Sequence, residues 1–161
     1  MSIFDLLAPE AIHLNVEAQS AEEVIRCLGG GLQAAGKVKD GFVEATLERE
    51  RKMPTGLALA GEYNAALPHV DLEYVESSAL ALATLSQPVS FRNMVNKEEE
   101  VAVRLVVMLA LNDPKSQIEA LGQVAVLLQN PRIVARLVAA SDVQDVQAAL
   151  QLVDAAKGVG R

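Results

Sequence analysis

The chain has 161 residues, 51% of them hydrophobic, with 14 basic against 21 acidic side chains and a net charge of −7. That length fits one domain with a single core, and the acidic balance disfavours a nucleic-acid partner, which needs basic surface against its phosphates. Two Tyr, three Phe and no Trp leave few aromatic faces for stacking bases or sugar rings, so the charge points to solubility and to basic protein partners.

The first ten residues, Met1 to Glu10, have no basic stretch, and acids interrupt their apolar residues, so they are not expected to be a signal peptide. Residues 11–17 alternate, with Ile12, Leu14 and Val16 on one face and Ala11, His13, Asn15 and Glu17 on the other, which predicts a half-buried strand. Ser20 and Glu23 form a capping box ahead of a helix carrying Val24, Leu28 and Leu32. Within that helix, Gly29-Gly30-Gly31 lacks the Lys-Ser/Thr of a phosphate loop and is read as close helix packing. The lone Cys27 has no partner for an internal disulfide and reads as a buried structural thiol in a reducing compartment.

A second helix is expected from Asp40 to about Lys52, stopped by Pro54, with Phe42, Val43, Thr46 and Leu47 inside. Residues 55–62 form a glycine-punctuated loop, and Ala65-Ala66-Leu67 a short strand running into Pro68-His69. Residues 79–85 and 101–111 are apolar on both faces and predict buried central strands, separated by Gln87-Pro88 and the charged turn 97–100. The run 101–111 is too short to span a bilayer and contains Arg104, so no membrane insertion is expected and the protein should be soluble and cytoplasmic.

Three helix starts follow: Asp113-Pro114 before a stripe of Ile118, Leu121, Ala125 and Leu128; Asn130-Pro131 before Ile133, Val134, Leu137 and Val138; and Ser141 with Gln144 before Val143, Val146, Leu150 and Val153. Residues 154–161, with Gly158 and Gly160, are expected to be a flexible tail. The expected fold is α/β: a single domain over residues 1–153, a mixed parallel/antiparallel sheet flanked by helices.

Few side chains are suited to chemistry. Two His and one Cys supply no metal-ligand cluster, and Gly-x-Ser-x-Gly is absent, which disfavours metal sites and serine hydrolases. His13 stands on the polar face of its strand beside Asn15 and reads as an ordinary half-exposed histidine. His69 follows a proline at the end of an apolar strand, which aims its ring into the loop region where open α/β sheets keep their sites; the plain alternative is a satisfied structural histidine.

The stretch Arg49-Glu50-Arg51-Lys52-Met53-Pro54-Thr55-Gly56, followed by Ala65-Ala66-Leu67-Pro68-His69, resembles the active-site signature of the fructose/mannitol (type 2) class of enzyme IIA, a component of the phosphoenolpyruvate-dependent sugar phosphotransferase system. The long spacer between Gly56 and Pro68 and the Met53-Pro54-Thr55-Gly56 run are most similar to the galactitol-type branch, and Gln87-Pro88-Val89-Ser90-Phe91 and the strand 101–111 extend the likeness over roughly residues 1–152. The resemblance implies that His69 accepts a phosphoryl group on Nε2 while a backbone carbonyl holds Nδ1. It gives Arg49 the phosphate oxygens, with Thr55 and the Gly56 backbone completing the cradle; spacing alone leaves Arg49 and Arg51 equal. The second histidine common in the mannitol and fructose branches is matched by Gln117, whose amide can donate to a phosphate oxygen but cannot titrate near neutral pH.

Chemically, a neutral imidazole nitrogen is both a good nucleophile and a good leaving group, and phosphoryl transfer needs cations and directed donors around three equatorial oxygens. The resemblance further implies a phosphocarrier that needs no cofactor. It would be loaded by the phosphocarrier HPr and discharged onto a cysteine of a IIB component, which serves a IIC membrane permease importing a sugar or polyol such as galactitol. A regulatory IIA-like phosphoprotein acting through protein binding is the alternative.

Overall fold

The computed structural model describes residues 3–159, with side chains over residues 4–153. Five strands form one mixed sheet in the order β1-β4-β5-β3-β2, namely β1 (Leu7–Val16), β2 (Gly56–Leu57), β3 (Asn64–Ala66), β4 (Ala79–Arg92) and β5 (Glu100–Ala110). The helices are α1 (Ala21–Ala34), α2 (Phe42–Lys52), α3 (Pro114–Leu128), α4 (Pro131–Ala139) and α5 (Val143–Val159). β1 runs parallel to β4 and β3 parallel to β5, whereas β4 and β5 pair antiparallel, as do β2 and β3. This is the expected α/β domain with a mixed sheet. Helix α1 packs on β4, β1 and α2, and α4 joins α3 and α5 to the central strands β4 and β5. Residues 79–85 of β4 are all buried, because helices cover both faces of the sheet there.

Helix starts follow their caps. The side chain of Ser20 accepts from Glu23 N–H, Asp113 from Ser116 N–H, and Asn130 from the N–H groups of Arg132 and Ile133. The stripes of α1 (Val24, Leu28, Leu32) and α4 (Ile133, Val134, Leu137, Val138) are buried as expected. Phe42 and Leu47 of α2 are buried too, each contributing about 1.5–3 kcal/mol, and buried Thr46 donates its hydroxyl to the Phe42 carbonyl.

Several expectations are corrected. β1 begins at Leu7 rather than Ala11 and contains Pro9, which an edge strand tolerates because no ladder bond on its outer side is lost. β4 does not stop before Gln87-Pro88 but runs on to Arg92. Its ladder with β5 slips between the pairs Thr84↔Leu105 and Val89↔Val103, so Pro88 sits in a bulge where its missing N–H costs nothing. Arg104 donates through Nε to the Leu85 carbonyl at 2.6 Å, satisfying an acceptor freed there. Gly56-Leu57, placed in a loop by sequence, forms the edge strand β2. The buried face of α3 is Ala120, Gln123, Val124, Leu127 and Leu128; Ile118 and Leu121 are exposed, because this helix carries apolar residues on several faces and its period is ambiguous. α5 is started by Asp142, whose carboxylate accepts from Asp145 N–H, while Asp145 reaches back to Ser141; Gln144 is not part of the cap. α5 runs into the segment 154–161. Residues 160–161 and the side chains from 154 on, with the expectation of a flexible tail, lie outside the described residues.

Within the glycine triplet, a Cβ on Gly29 would meet Val43 Cγ2 at 2.8 Å, and one on Gly31 would lie 3.3 Å from His13 Nε2, whereas Gly30 faces open space. Close packing therefore explains Gly29 and Gly31 only.

Candidate active site

The short strand β3 ends at Ala66, and the chain continues alongside β5 through a single parallel bridge between His69 and Leu109. Pro68 is buried, and its carbonyl accepts from Leu109 N–H at 3.1 Å, which pins the backbone just before His69 to a central strand. One residue earlier, the Leu67 carbonyl lies 2.8 Å from His69 Nδ1. A carbonyl has no hydrogen to give, so Nδ1 carries the proton and the neutral ring keeps its lone pair on Nε2. Burial pushes the pKa of His69 below its usual value, and nearby Arg49 pushes the same way; the Leu67 carbonyl and Asp71 push upward. The imidazole is thus held neutral near pH 7 with its lone pair on Nε2.

Arg49 reaches this ring from the last turn of α2. Its guanidinium is half-buried, pairs with the exposed carboxylate of Asp71 at 3.6 Å, and has a buried Nε with no hydrogen-bond partner among the described residues. Arg51 points elsewhere: it is exposed and pairs with Glu48 at 3.3 Å and Glu22 at 3.7 Å. Of the two arginines that spacing left equal, Arg49 is the one that stands near His69, since helix residues two apart face different sides.

Thr55 is 1% exposed and fully engaged. Its N–H donates to Glu50 Oε2 at 2.8 Å and its hydroxyl to Glu50 Oε1 at 2.9 Å, while Oγ1 and the carbonyl oxygen accept from Leu67 N–H at 3.2 and 3.3 Å. Gly56 pairs with Ala66 and bridges to Asn93, and its carbonyl accepts from Met94 N–H. A Cβ there would stand 2.6 Å from the Arg92 carbonyl oxygen, so only glycine lets these backbones approach. Thr55 and Gly56 therefore fix the floor beneath the Leu67-His69 segment. Gln117 lies half-buried in the first turn of α3, which begins just after β5 ends, and its side chain makes no hydrogen bond among the described residues.

Glu50 was quoted in the signature without a task, and Asp71 was not singled out. Glu50 is half-buried, and burial raises its pKa against the lowering by its two bonds from Thr55 and by Arg49. A carboxylate this far in sequence from the histidine gives no pattern of its own; only the fold brings it, through Thr55, close to the histidine's segment. Cys27 is half-buried, and burial pushes its thiol pKa up, which suits a structural thiol rather than a nucleophile. Among the described residues no three His, Cys, Asp or Glu side chains could hold a metal ion, and no helix is long and apolar enough to cross a membrane.

Residues 5–152 match the family model described as phosphoenolpyruvate-dependent sugar phosphotransferase system, EIIA 2. The galactitol-specific EIIA component of Escherichia coli (strain K12) is 32% identical over 122 residues, which cover 76% of this chain and 80% of that protein. The crystal structure of IIA mannitol from Escherichia coli superposes with a TM-score of 0.73 at 28% identity, covering 89% of this chain and 97% of that one. A complex of Escherichia coli enzyme IIA of the mannitol system with phosphorylated enzyme IIB contains a chain that matches with a TM-score of 0.75 at 27% identity, covering 91% and 99%.

Proposed function

The chain belongs to the EIIA 2 family of the phosphoenolpyruvate-dependent sugar phosphotransferase system, a family of phosphotransferase components, and on that premise we propose that His69 is its phosphoryl acceptor, loaded by phospho-HPr and discharged onto a IIB cysteine. The observation that carries this reading is the 2.8 Å contact of His69 Nδ1 with the Leu67 carbonyl, which leaves Nε2 unprotonated. In the first step the Nε2 lone pair attacks phosphorus while the bond between phosphorus and the carrier breaks. Nδ1 keeps its hydrogen, and the positive charge that the ring acquires is stabilised by the Leu67 carbonyl. In the second step a IIB thiolate attacks phosphorus, the P–Nε2 bond breaks, and the ring returns to its neutral form. No cofactor takes part.

Transfer spreads charge over three equatorial oxygens, and Arg49 is the cation beside them. Its unpartnered Nε–H is a donor free for one of those oxygens, and Asp71 is exposed enough to yield the guanidinium to a phosphate. Gln117 donates through its side-chain amide from the first turn of α3, whose N-terminal dipole also favours an anion. Thr55 and Gly56 act at one remove, by holding the segment that holds the ring. The 32% identical galactitol-specific relative supports import of a polyol of that kind through the IIB and IIC components of the same system, with the protein working on the cytoplasmic side.

Incubation with phosphoenolpyruvate, enzyme I and HPr tests the assignment. One acid-labile phosphate per chain is expected on the wild type and none on His69→Ala, with transfer onward to a galactitol-type IIB. Labelling of His69→Ala at the wild-type level would refute it.

A further inference from the structure

Hydrogen bonds tie a half-buried carboxylate to the residue whose carbonyl holds the His69 ring. The Thr55 hydroxyl donates to Glu50 at 2.9 Å, Thr55 Oγ1 accepts from Leu67 N–H at 3.2 Å, and the carbonyl of that same residue, Leu67, accepts from His69 Nδ1–H at 2.8 Å. We infer that Glu50 is a positioning residue for His69: through Thr55 and Leu67 it fixes the ring in the tautomer that leaves Nε2 free. The inference rests on the reading of His69 as phosphoryl acceptor for its consequence, but not for its measurement.

A hydroxyl has one hydrogen, and both oxygens of Glu50 face Thr55, with Oε1 and Oε2 at 2.9 and 3.2 Å from Oγ1 and Oε2 at 2.8 Å from the backbone nitrogen. Facing a carboxylate, which only accepts, the hydroxyl must give its hydrogen to Glu50 and turn its lone pairs to Leu67 N–H. Holding the Leu67 N–H restricts the tilt of the Leu67 backbone, and this keeps its carbonyl in line with Nδ1. An amide in place of the carboxylate removes one of the two Glu50 acceptors. Its NH2 has no lone pair to offer, so one of the two Thr55 donors, the N–H or the hydroxyl, loses its acceptor and the Thr55 side chain is no longer held against Leu67 N–H. Thr55 is too buried for water to take over the missing partner. This resembles the way a partner on one ring nitrogen sets the tautomer of a metal-bound histidine.

The test reads the ring itself, by 15N NMR of the unphosphorylated full chain at pH 8, where His69 is neutral. In the wild type Nδ1 carries the proton. In Glu50→Gln the ratio of Nδ1–H to Nε2–H tautomers should fall about tenfold, with a matching drop in the rate of phosphate uptake. Thr55→Val should behave like Glu50→Gln, and Thr55→Ser, which keeps the hydroxyl, should restore the wild-type ratio. The His13 ring should be unchanged throughout. Wild-type tautomer ratios in Glu50→Gln and Thr55→Val, however much either loses in melting temperature, would overturn the inference and leave Glu50 a purely structural cap. Should Glu50→Gln fail to fold, the Thr55→Val and Thr55→Ser pair decides alone. A tautomer shift in a protein that takes up no phosphate would instead sink the acceptor reading while leaving the positioning role intact.

Discussion

His13 and His69 are both withdrawn from water, and burial lowers the pKa of each, yet their surroundings differ at every other point. His13 stands on the edge strand β1 with its Nε2 buried against Gly31 of α1 and without a hydrogen-bond partner among the described residues. His69 stands beside a central strand, with Nδ1 tied to a carbonyl, Arg49 and Asp71 alongside, and a carboxylate acting on it through Thr55. Desolvation alone therefore makes a neutral imidazole, not the arrangement on which the proposed acceptor role of His69 rests. What separates the two is a fixed tautomer and a cation with an unused donor.

The sharpest way to break that contrast is to remove the cation. Arg49→Gln should slow phosphate uptake by about 10²–10³-fold, the scale set by loss of one charge-stabilising donor. Arg51→Gln, whose partners are exposed Glu48 and Glu22, should change it by no more than about twofold. Equal losses in the two variants, measured as initial rates of labelling, would mean that the arginine has been assigned wrongly.

The floor under His69 is the next target. Gly56→Ala places a methyl 2.6 Å from the Arg92 carbonyl oxygen and should destabilise the protein by about 1–3 kcal/mol in urea denaturation. Gly30→Ala, in the same α1 as the Gly31 that faces His13, meets nothing within 4 Å and should stabilise by about 0.5–1 kcal/mol. A neutral Gly56→Ala would show that β2 yields easily and does not brace the Leu67 segment.

Much of this frame was readable in the sequence, and the exceptions have physical reasons. Ser20, Asp113 and Asn130 announced their helices because capping is a local matter between neighbours. The two central strands were legible because burial on both faces leaves an uninterrupted apolar run. Continuation of β4 past Pro88 was not, since a bulge depends on the partner strand, and neither was the inner face of α3, whose apolar residues surround the helix. At the site, His69 and Arg49 came from the signature, but the side of α2 that faces the ring came only from the fold. Glu50 and Asp71 gain their meaning from hydrogen bonds and pairings across a loop, which no spacing rule carries.

The smallest expected effect is the one both histidines share. Their native pKa values lie below the unfolded value of 6.5, so between those values the unfolded chain binds more protons than the native one. Their contribution to stability is complete above pH 6.5 and is lost as pH falls toward the native pKa values. The urea midpoint should therefore drop between pH 7.5 and 5.5, and His13→Gln should remove part of that slope while leaving phosphate uptake intact. A midpoint independent of pH over this window would show that neither ring is desolvated as described.

The most direct measurement is 15N and 31P NMR of the phosphorylated chain, which locates the P–N bond atom by atom. A single phosphorus coupled to Nε2 of His69, with Nδ1 still protonated and the His13 ring unmodified, is the predicted result. Phosphorus on Nδ1 of His69, or on His13, would contradict the account at its centre.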